Sequence, residues 1–593
     1  LANVRSAIAV TIALAVSLAA ASPASAQVSL VLLPQGTSAR ALAGAGLSPG
    51  LMSAGLGSVP AEQTYLDVTQ GNRVFDSLYD SDLPRLRVAV NRPVNDVAVV
   101  RRAESAPADI VPGLLATTLG RVGKGFEVRD ASLAQLRGLV DGLRGNDLLI
   151  AIERPPPARD RALRIGIAGK GFGGDLTSDS TRLAGYVLST DVAPTILERL
   201  GVAVPSQMSG QAIRAEGSVD PAAVAALGDR MAVISGRRGP VIGFSLLLWL
   251  VVLGLEIAVT RGAAARLGVR VVGLAVVYLP LVLLAGAAAE PGETVEMLLV
   301  MLGAPLLAGA TLALFAGYRA LAVASALTVL AYAVDVVAGS PLTALSLLGP
   351  NPGLGVRFYG IGNELEALLA VLIVAGTGAG LTGFAPRLSP RGSAAAFLAI
   401  GVFAAFVFAA GRFGADVGAA IVFPLGAAVA AAIVVGGRRR SALLVAALPL
   451  AVLALLALGD LLSGANAHLT RSVLDAGGFG DLGDVAQRRL QLSAHSFSRP
   501  IVFVFLPLIA ALATIAVVRR DRLRAWLSGR PAMRAGLIGA VAATAAGTLA
   551  NDSGALLLEI GAAYLLVFTG FAWAESPAKS SAQTKSYTSV HHA

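Results

Sequence analysis

The sequence predicts an α/β domain followed by an all-α polytopic membrane domain of about eleven transmembrane helices. Three observations carry this reading. Of the 593 residues, 55% are hydrophobic and only 14% charged, with a mean hydropathy of +0.72, where soluble globular chains average about 25% charged. The composition changes abruptly at Pro240, from a mixed polar segment to long apolar runs. Lysine and arginine after that point fall into alternate loops, as they do in multi-pass proteins.

The elements follow in order. Arg5, the apolar run Ala7 to Ala21 and Ala24-Ser25-Ala26 before Gln27 have the pattern of a secretory signal peptide, so residues 1–26 are expected to be one, or else an uncleaved anchor. Residues 27–239 read as an extracytoplasmic domain. Val28 to Leu33 and Asp147 to Ile152 are short continuous apolar runs, as buried strands are, and Leu133, Leu136, Leu139 and Val140 have helical spacing between them. Alternating strands and helices point to a mostly parallel sheet.

A span needs roughly 20 mostly apolar residues. The segments 240–259, 271–289, 296–316, 320–338, 359–382, 394–410, 415–435, 441–462, 500–518, 535–550 and 553–574 meet or approach this, leaving 575–593 as a tail. With the N-terminal domain outside, the loops facing the cytoplasm hold seventeen lysines and arginines and the outer loops six. The positive-inside rule therefore places the chain in a bacterial plasma membrane with a cytoplasmic C-terminus. The net charge of +10 is thereby topological and predicts no nucleic-acid partner; the partner it predicts is the lipid bilayer.

The absence of cysteine excludes disulfides, thiolate metal sites and cysteine nucleophiles. Histidine occurs only at 468, 495, 591 and 592. No metal site is predicted, and no cofactor is indicated.

The stretch Ser189-Thr190-Asp191-Val192-Ala193-Pro194-Thr195-Ile196-Leu197, continuing to Gly201 and followed by Val204-Pro205 and Ser209-Gly210, resembles an element of the alkaline phosphatase and phosphoglycerate mutase superfamily. The resemblance implies a phosphatase-like ectodomain. On its own chemistry, Asp191 can cap a helix that has Pro194 in its first turn and Ile196, Leu197 and Leu200 on one face. The superfamily's catalytic groups do not carry over. Its first strand ends in a metal-binding Asp-Gly where this chain has Pro34-Gln35-Gly36, and its later Ser-Asp-His-Gly element is replaced by Glu153-Arg154-Pro155-Pro156. Ser48 is the best-placed candidate for its nucleophile, with Thr37 and Ser38 as others. A pseudoenzyme is expected, since two-metal phosphoryl transfer needs carboxylates and histidines that this domain lacks.

Charges within spans are costly, so their placement is informative. Asp335, Glu364, Glu366, Asp416, Asp460, Asp552 and Glu559 fall at or near outer span ends on this topology, and Glu256 toward the inner side. The segment Gly349 to Glu366 is interrupted by glycines and two prolines where the fifth span begins, and irregular backbone at that depth is tolerated where it is buried in protein or lines a wet cavity. Its Arg357-Phe358-Tyr359-Gly360-Ile361-Gly362-Asn363-Glu364 run resembles a motif of bacterial multi-pass proteins of uncharacterised activity. Arg357, Tyr359, Asn363 and Glu364 can converge on one pocket, or Glu364 can pair with Arg357 in a purely structural role. Arg412 and Asp416 share a tight turn, Asn551 and Asp552 form another, and His468 and Arg471 lie in the longest loop of the membrane part.

These residues suggest an outward-facing site in which Glu364, Asp416, His468 or Asp552 acts catalytically and Arg357, Tyr359, Asn363, Arg412, Arg471 and Asn551 hold a substrate. Arginine suits a phosphate or diphosphate, which its planar fork binds bidentately. The expected substrate is a lipid-linked envelope precursor such as a polyprenyl phosphate or lipid-linked glycan. A cation- or proton-coupled transporter and a non-catalytic scaffold are the alternatives, and the sequence does not decide whether the protein is an enzyme.

Overall fold

The computed structural model describes residues 26–53, 59–72, 111, 113–155, 158–159, 162–260, 262–436, 439–462 and 490–577. It divides into two compact units: residues 1–232 with Gly353–Phe358, and Val233–Pro352 with residues 359–593. The division falls inside the helix Pro221–Arg238. The proposed signal peptide, apart from Ala26, lies outside the described residues.

The first unit is an α/β sandwich. Its six-stranded sheet has the order β4-β1-β5-β7-β2-β9, from β1 (Val28–Leu33), β2 (Ser48–Ser53), β4 (Glu127–Asp130), β5 (Leu148–Glu153), β7 (Leu163–Gly169) and β9 (Tyr186–Leu188). β1 runs parallel to both β4 and β5, and β2 parallel to β9, while β7 runs against its two neighbours. The remaining strands pair off, β3 (Val59–Pro60) with β6 (Ala158–Arg159) and β8 (Asp175–Thr177) with β10 (Arg214–Glu216).

Side chains alternate across a strand, and here both faces are apolar because both are covered. Leu148, Ile150 and Ile152 face a core shared with the helices α3 (Leu114–Arg121) and α5 (Val192–Arg199). Leu149 and Ala151 face a second core with Leu42 of α1 (Ala39–Gly44) and Leu136 of α4 (Leu133–Asp141). The short helix α2 (Ala61–Gln70) completes this set, and Pro221–Arg238 is α6.

In the second unit the chain passes through a π-helical turn, Gly239–Gly243, into α7 (Phe244–Val259). The bundle continues with α8 (Ala263–Ala289), α9 (Glu293–Leu314), α10 (Tyr318–Val337), the short α11 (Pro341–Leu345), α12 (Asn363–Phe384), α13 (Pro390–Ala409), α14 (Val417–Val435) and α15 (Arg439–Leu462). α16 (Val502–Val518), α17 (Arg520–Trp526), α18 (Pro531–Ala550) and α19 (Gly554–Ala574) follow. Among the described residues nine helices are long and apolar enough to cross a membrane, or ten if the bent pair α16 and α17 counts as one span. Each of the eleven expected segments coincides with a helix, and in α15 the described apolar stretch is the shorter Leu443–Gly459. Many spans and extensive apolar surface make this a multi-pass membrane protein.

Hydrocarbon offers no partner to an exposed backbone carbonyl, so helix-breaking residues need side-chain help. Pro280 inside α8 has no N–H for the carbonyl of Val276, four residues earlier. The Tyr564 hydroxyl of α19 donates to that oxygen at 3.1 Å. Thr328 and Tyr332 of α10 donate to the carbonyls of Val277 and Pro280, each at 3.0 Å. One proline thus fixes the contact of three helices. Elsewhere small residues bring backbones together: a Cβ added to Gly426 of α14 would meet the Gly539 carbonyl of α18 at 3.0 Å.

Candidate functional site

Several buried polar residues of the bundle, Glu366, Asp416 and Asn551 among them, gather at one end. Glu366, in the first turn of α12, is fully buried and accepts a hydrogen bond from the Asn551 side-chain amide at 2.7 Å. Asn551 itself is buried where α18 ends. The start of α14 closes on the same carboxylate, since a Cβ added to Gly418 would meet Glu366 Oε2 at 2.5 Å. Asp416, also buried, caps α14 by accepting from the backbone N–H groups of Gly418 at 2.9 Å and Ala419 at 3.4 Å. Two carboxylates therefore stand at one helix N-terminus, where the helix dipole favours negative charge.

A backbone contact positions them. Gly360 (φ +75°) donates its N–H to Ser340 Oγ at 2.9 Å, and Ile361 donates to the Gly414 carbonyl at 3.2 Å. A Cβ at Gly360 would fall inside the Gly414 carbonyl oxygen, so only glycine permits the two loops to touch. Asp335 serves the same scaffold, accepting from the N–H groups of Leu342 and Thr343 at 3.1 and 2.7 Å.

Nearer the surface, Asn363 donates to Asp552 Oδ1 at 3.0 Å. Glu364 pairs with Arg238 at 3.8 Å, and Arg238 also donates to the Gly349 carbonyl. Arg238 thus supplies Glu364 with a salt-bridge partner. The short segment Gly353–Phe358, and Arg357 with it, groups with the first unit. Tyr359 is half-buried and Arg412 exposed on its turn. Ser493 and Ser496 tie the segment before α16 to this end, through the Thr548 carbonyl at 2.7 Å and the Ala555 N–H at 3.0 Å, and the exposed Arg499 follows in the same segment. His468 and Arg471 lie outside the described residues. No cluster of three or more potential metal ligands occurs among the described residues.

Sequence reading assigned no site role to Glu366 or Arg238. For Glu366 the available signal was its position one turn after Asn363, which puts both residues on one face. Arg238 lies before the first apolar run and gave none.

The opposite end is basic. Arg270 pairs with Glu575 at 3.1 Å, Arg530 donates to the Glu575 carbonyl at 2.8 Å, and Arg266 donates to the Ser576 carbonyl. Arg266, Arg319 and Arg530 also lie over Trp573, Phe384 and Tyr318, at 5.6, 5.6 and 5.2 Å from the ring centroids. Cations at helix C-termini and over aromatic rings suit a headgroup boundary.

In the first unit, the carboxyl ends of β1 and β5 are occupied by structure. Glu153 is buried and accepts from the N–H groups of Gly36 at 2.8 Å and Arg164 at 3.0 Å. Ser48 is buried within β2, opposite Ile167 of β7. Thr37 donates to the Pro34 carbonyl, and Ser38 caps α1. Asp191 differs from its expected role. It makes no side-chain cap to α5 and instead accepts from Ser178 and Ser180 hydroxyls, each at 2.6 Å, and from Leu188 and Gln211 N–H groups, each at 2.9 Å. Burial pushes its carboxyl up from the ordinary range while these donors pull it down. Donors from Ser178, Ser180 and Gln211, joined by the neighbouring Leu188 N–H, take the carboxylate in place of the cap.

Compared with known proteins, the chain matches no family model, no curated protein and no solved structure.

Proposed function

We propose that this multi-pass protein binds or acts on a lipid-linked, phosphate-containing precursor of the cell envelope, at the end of its bundle that holds Glu366 and Asp416. One observation carries the reading: the desolvated carboxylates Glu366 and Asp416 stand at the end of the bundle where the turn before α14 carries the exposed Arg412. A buried carboxylate can take a proton from an attacking hydroxyl, and arginine can hold the phosphate of a lipid whose tail stays in the bilayer. In this proposal the end faces outward and the first unit is extracytoplasmic, in agreement with the arginine distribution. The test uses purified full-length protein and polyprenyl phosphate beside the matching polyprenol, with native mass spectrometry as readout. The phosphorylated lipid should be retained in preference, and Arg412→Gln should remove the preference. Equal retention of both lipids would overturn the reading.

The first unit is, in the same proposal, a catalytically inactive relative of the alkaline phosphatase superfamily. Supporting this, Glu153 is engaged by backbone N–H groups where metal ligands would be needed, and Ser48 is inside the sheet. The full chain should release no p-nitrophenol from p-nitrophenyl phosphate with zinc, magnesium or manganese. Turnover that disappears in Ser48→Ala would show the assignment to be wrong.

A second reading, proton- or cation-coupled transport, draws on the complete burial of Glu366 beside a neutral amide. Its position in the first turn of α12 favours chemistry at the membrane edge, because alternating access places a coupling site near the midplane.

A further inference from the structure

α16 is an apolar helix of 17 residues, about 25 Å long at 1.5 Å per residue, with Val502 its buried residue. The rest of its surface, including Phe503, Val504, Leu508, Ile515, Val517 and Val518, is left for lipid. After Val518 the chain bends by 75° into α17. A helix that turns this sharply at the end of an apolar stretch runs along the plane where hydrocarbon gives way to headgroups. Its side chains fit that place. Leu523, Trp526 and Leu527, at helical spacing, are half-buried, while Arg519, Arg520, Arg522 and Arg524 are exposed.

These arginines differ from the others at the basic end. Arg266, Arg270 and Arg530 are engaged by carbonyls and by Glu575, and Arg530 ties the two groups together by donating to the Trp526 carbonyl at 2.7 Å. Along α17 Arg524 pairs with Asp521 at 3.3 Å, both side chains exposed. Arg519, Arg520 and Arg522 have no ion pair among the described residues. A row of cations held at headgroup level by an apolar face and a preceding span has its complement in lipid phosphates.

We propose that Arg519, Arg520, Arg522 and Arg524 form a binding surface for the headgroups of anionic phospholipids, which anchors α17 and the sparsely packed α16 at the headgroup plane. Each basic residue near an anionic surface strengthens association by about fivefold. The test reconstitutes the full chain in nanodiscs of equal phosphatidylglycerol and phosphatidylcholine, and measures the lipids retained after detergent extraction. Wild type should retain phosphatidylglycerol in excess, less so as salt is raised. The R519Q/R520Q/R522Q/R524Q variant should lose that excess by about tenfold or more, several hundredfold being the limit if the four contributions compound fully. R387Q/R391Q, which alters two other exposed arginines, should keep it. If the quadruple variant inserts poorly, the salt dependence in wild type decides. Equal retention of both lipids, an excess unmoved by salt, or a quadruple variant that keeps it would each overturn the proposal. So would an acidic protein captured by these arginines in the absence of any lipid preference.

Discussion

Glu366→Gln is expected to lower function by a factor of about a hundred or more while leaving the amount and thermal stability of folded protein nearly unchanged. The argument rests on what glutamine keeps. Its side-chain oxygen can still accept from Asn551, now at 2.7 Å from the carboxylate, and its volume still fits against Gly418. What is lost is the negative charge and the capacity to take up a proton. Glu366→Leu makes the complementary case, leaving the buried Asn551 amide without this acceptor at a cost of about 1–3 kcal/mol. Complementation in cells, set beside thermal unfolding in detergent, separates the two. If glutamine is silent and only leucine harms, Glu366 is a packing residue and the proposed chemistry fails. Glu364→Gln and Arg412→Lys, nearer the surface, should resemble glutamine at 366 if the site reading is right. Glu256→Gln, at the basic end beside Gly268, should be milder.

The residues of this end show where sequence stops being informative. Hydrophobic runs located the helices because membrane insertion depends on composition over some twenty positions, a local property. The same is true of the first unit, where β1, β5 and α4 appear where their apolar spacing put them. Partnership is not local. Asn551 reaches Glu366 from 185 positions away, and Arg238 lies outside the apolar segments altogether. The Asp191 cluster makes the same point: a local rule gave the cap, and donors from Ser178, Ser180 and Gln211 took the carboxylate elsewhere. Proline in a span announces a freed carbonyl, but only the packing of α8, α10 and α19 shows that Tyr564 receives it.

Gly360→Ala should cost more stability than any single polar change in the bundle, of order 3–5 kcal/mol, enough to remove most folded protein from the membrane. Gly360 has φ +75°, which disfavours any L side chain by roughly 1–2 kcal/mol. The larger part is steric. The new methyl would lie inside the Gly414 carbonyl, a backbone atom that cannot rotate away, so the loops must separate and the Ile361 to Gly414 hydrogen bond at 3.2 Å is lost. Gly414 lies two residues before Asp416, so separation also disturbs the cap of α14 and the wall that closes on Glu366. Gly309→Ala supplies the comparison: nothing lies within 4 Å of the added methyl, and alanine there should be neutral or stabilise by about 0.5–1 kcal/mol. Yield of monodisperse protein and its melting temperature in one detergent rank the two. Should Gly360→Ala accumulate and melt like wild type, the close approach is not what holds this end together. In the intermediate case, a protein that folds at reduced temperature but has lost function as Glu366→Gln does, the two loops act by placing the start of α14 against the Glu366 carboxylate.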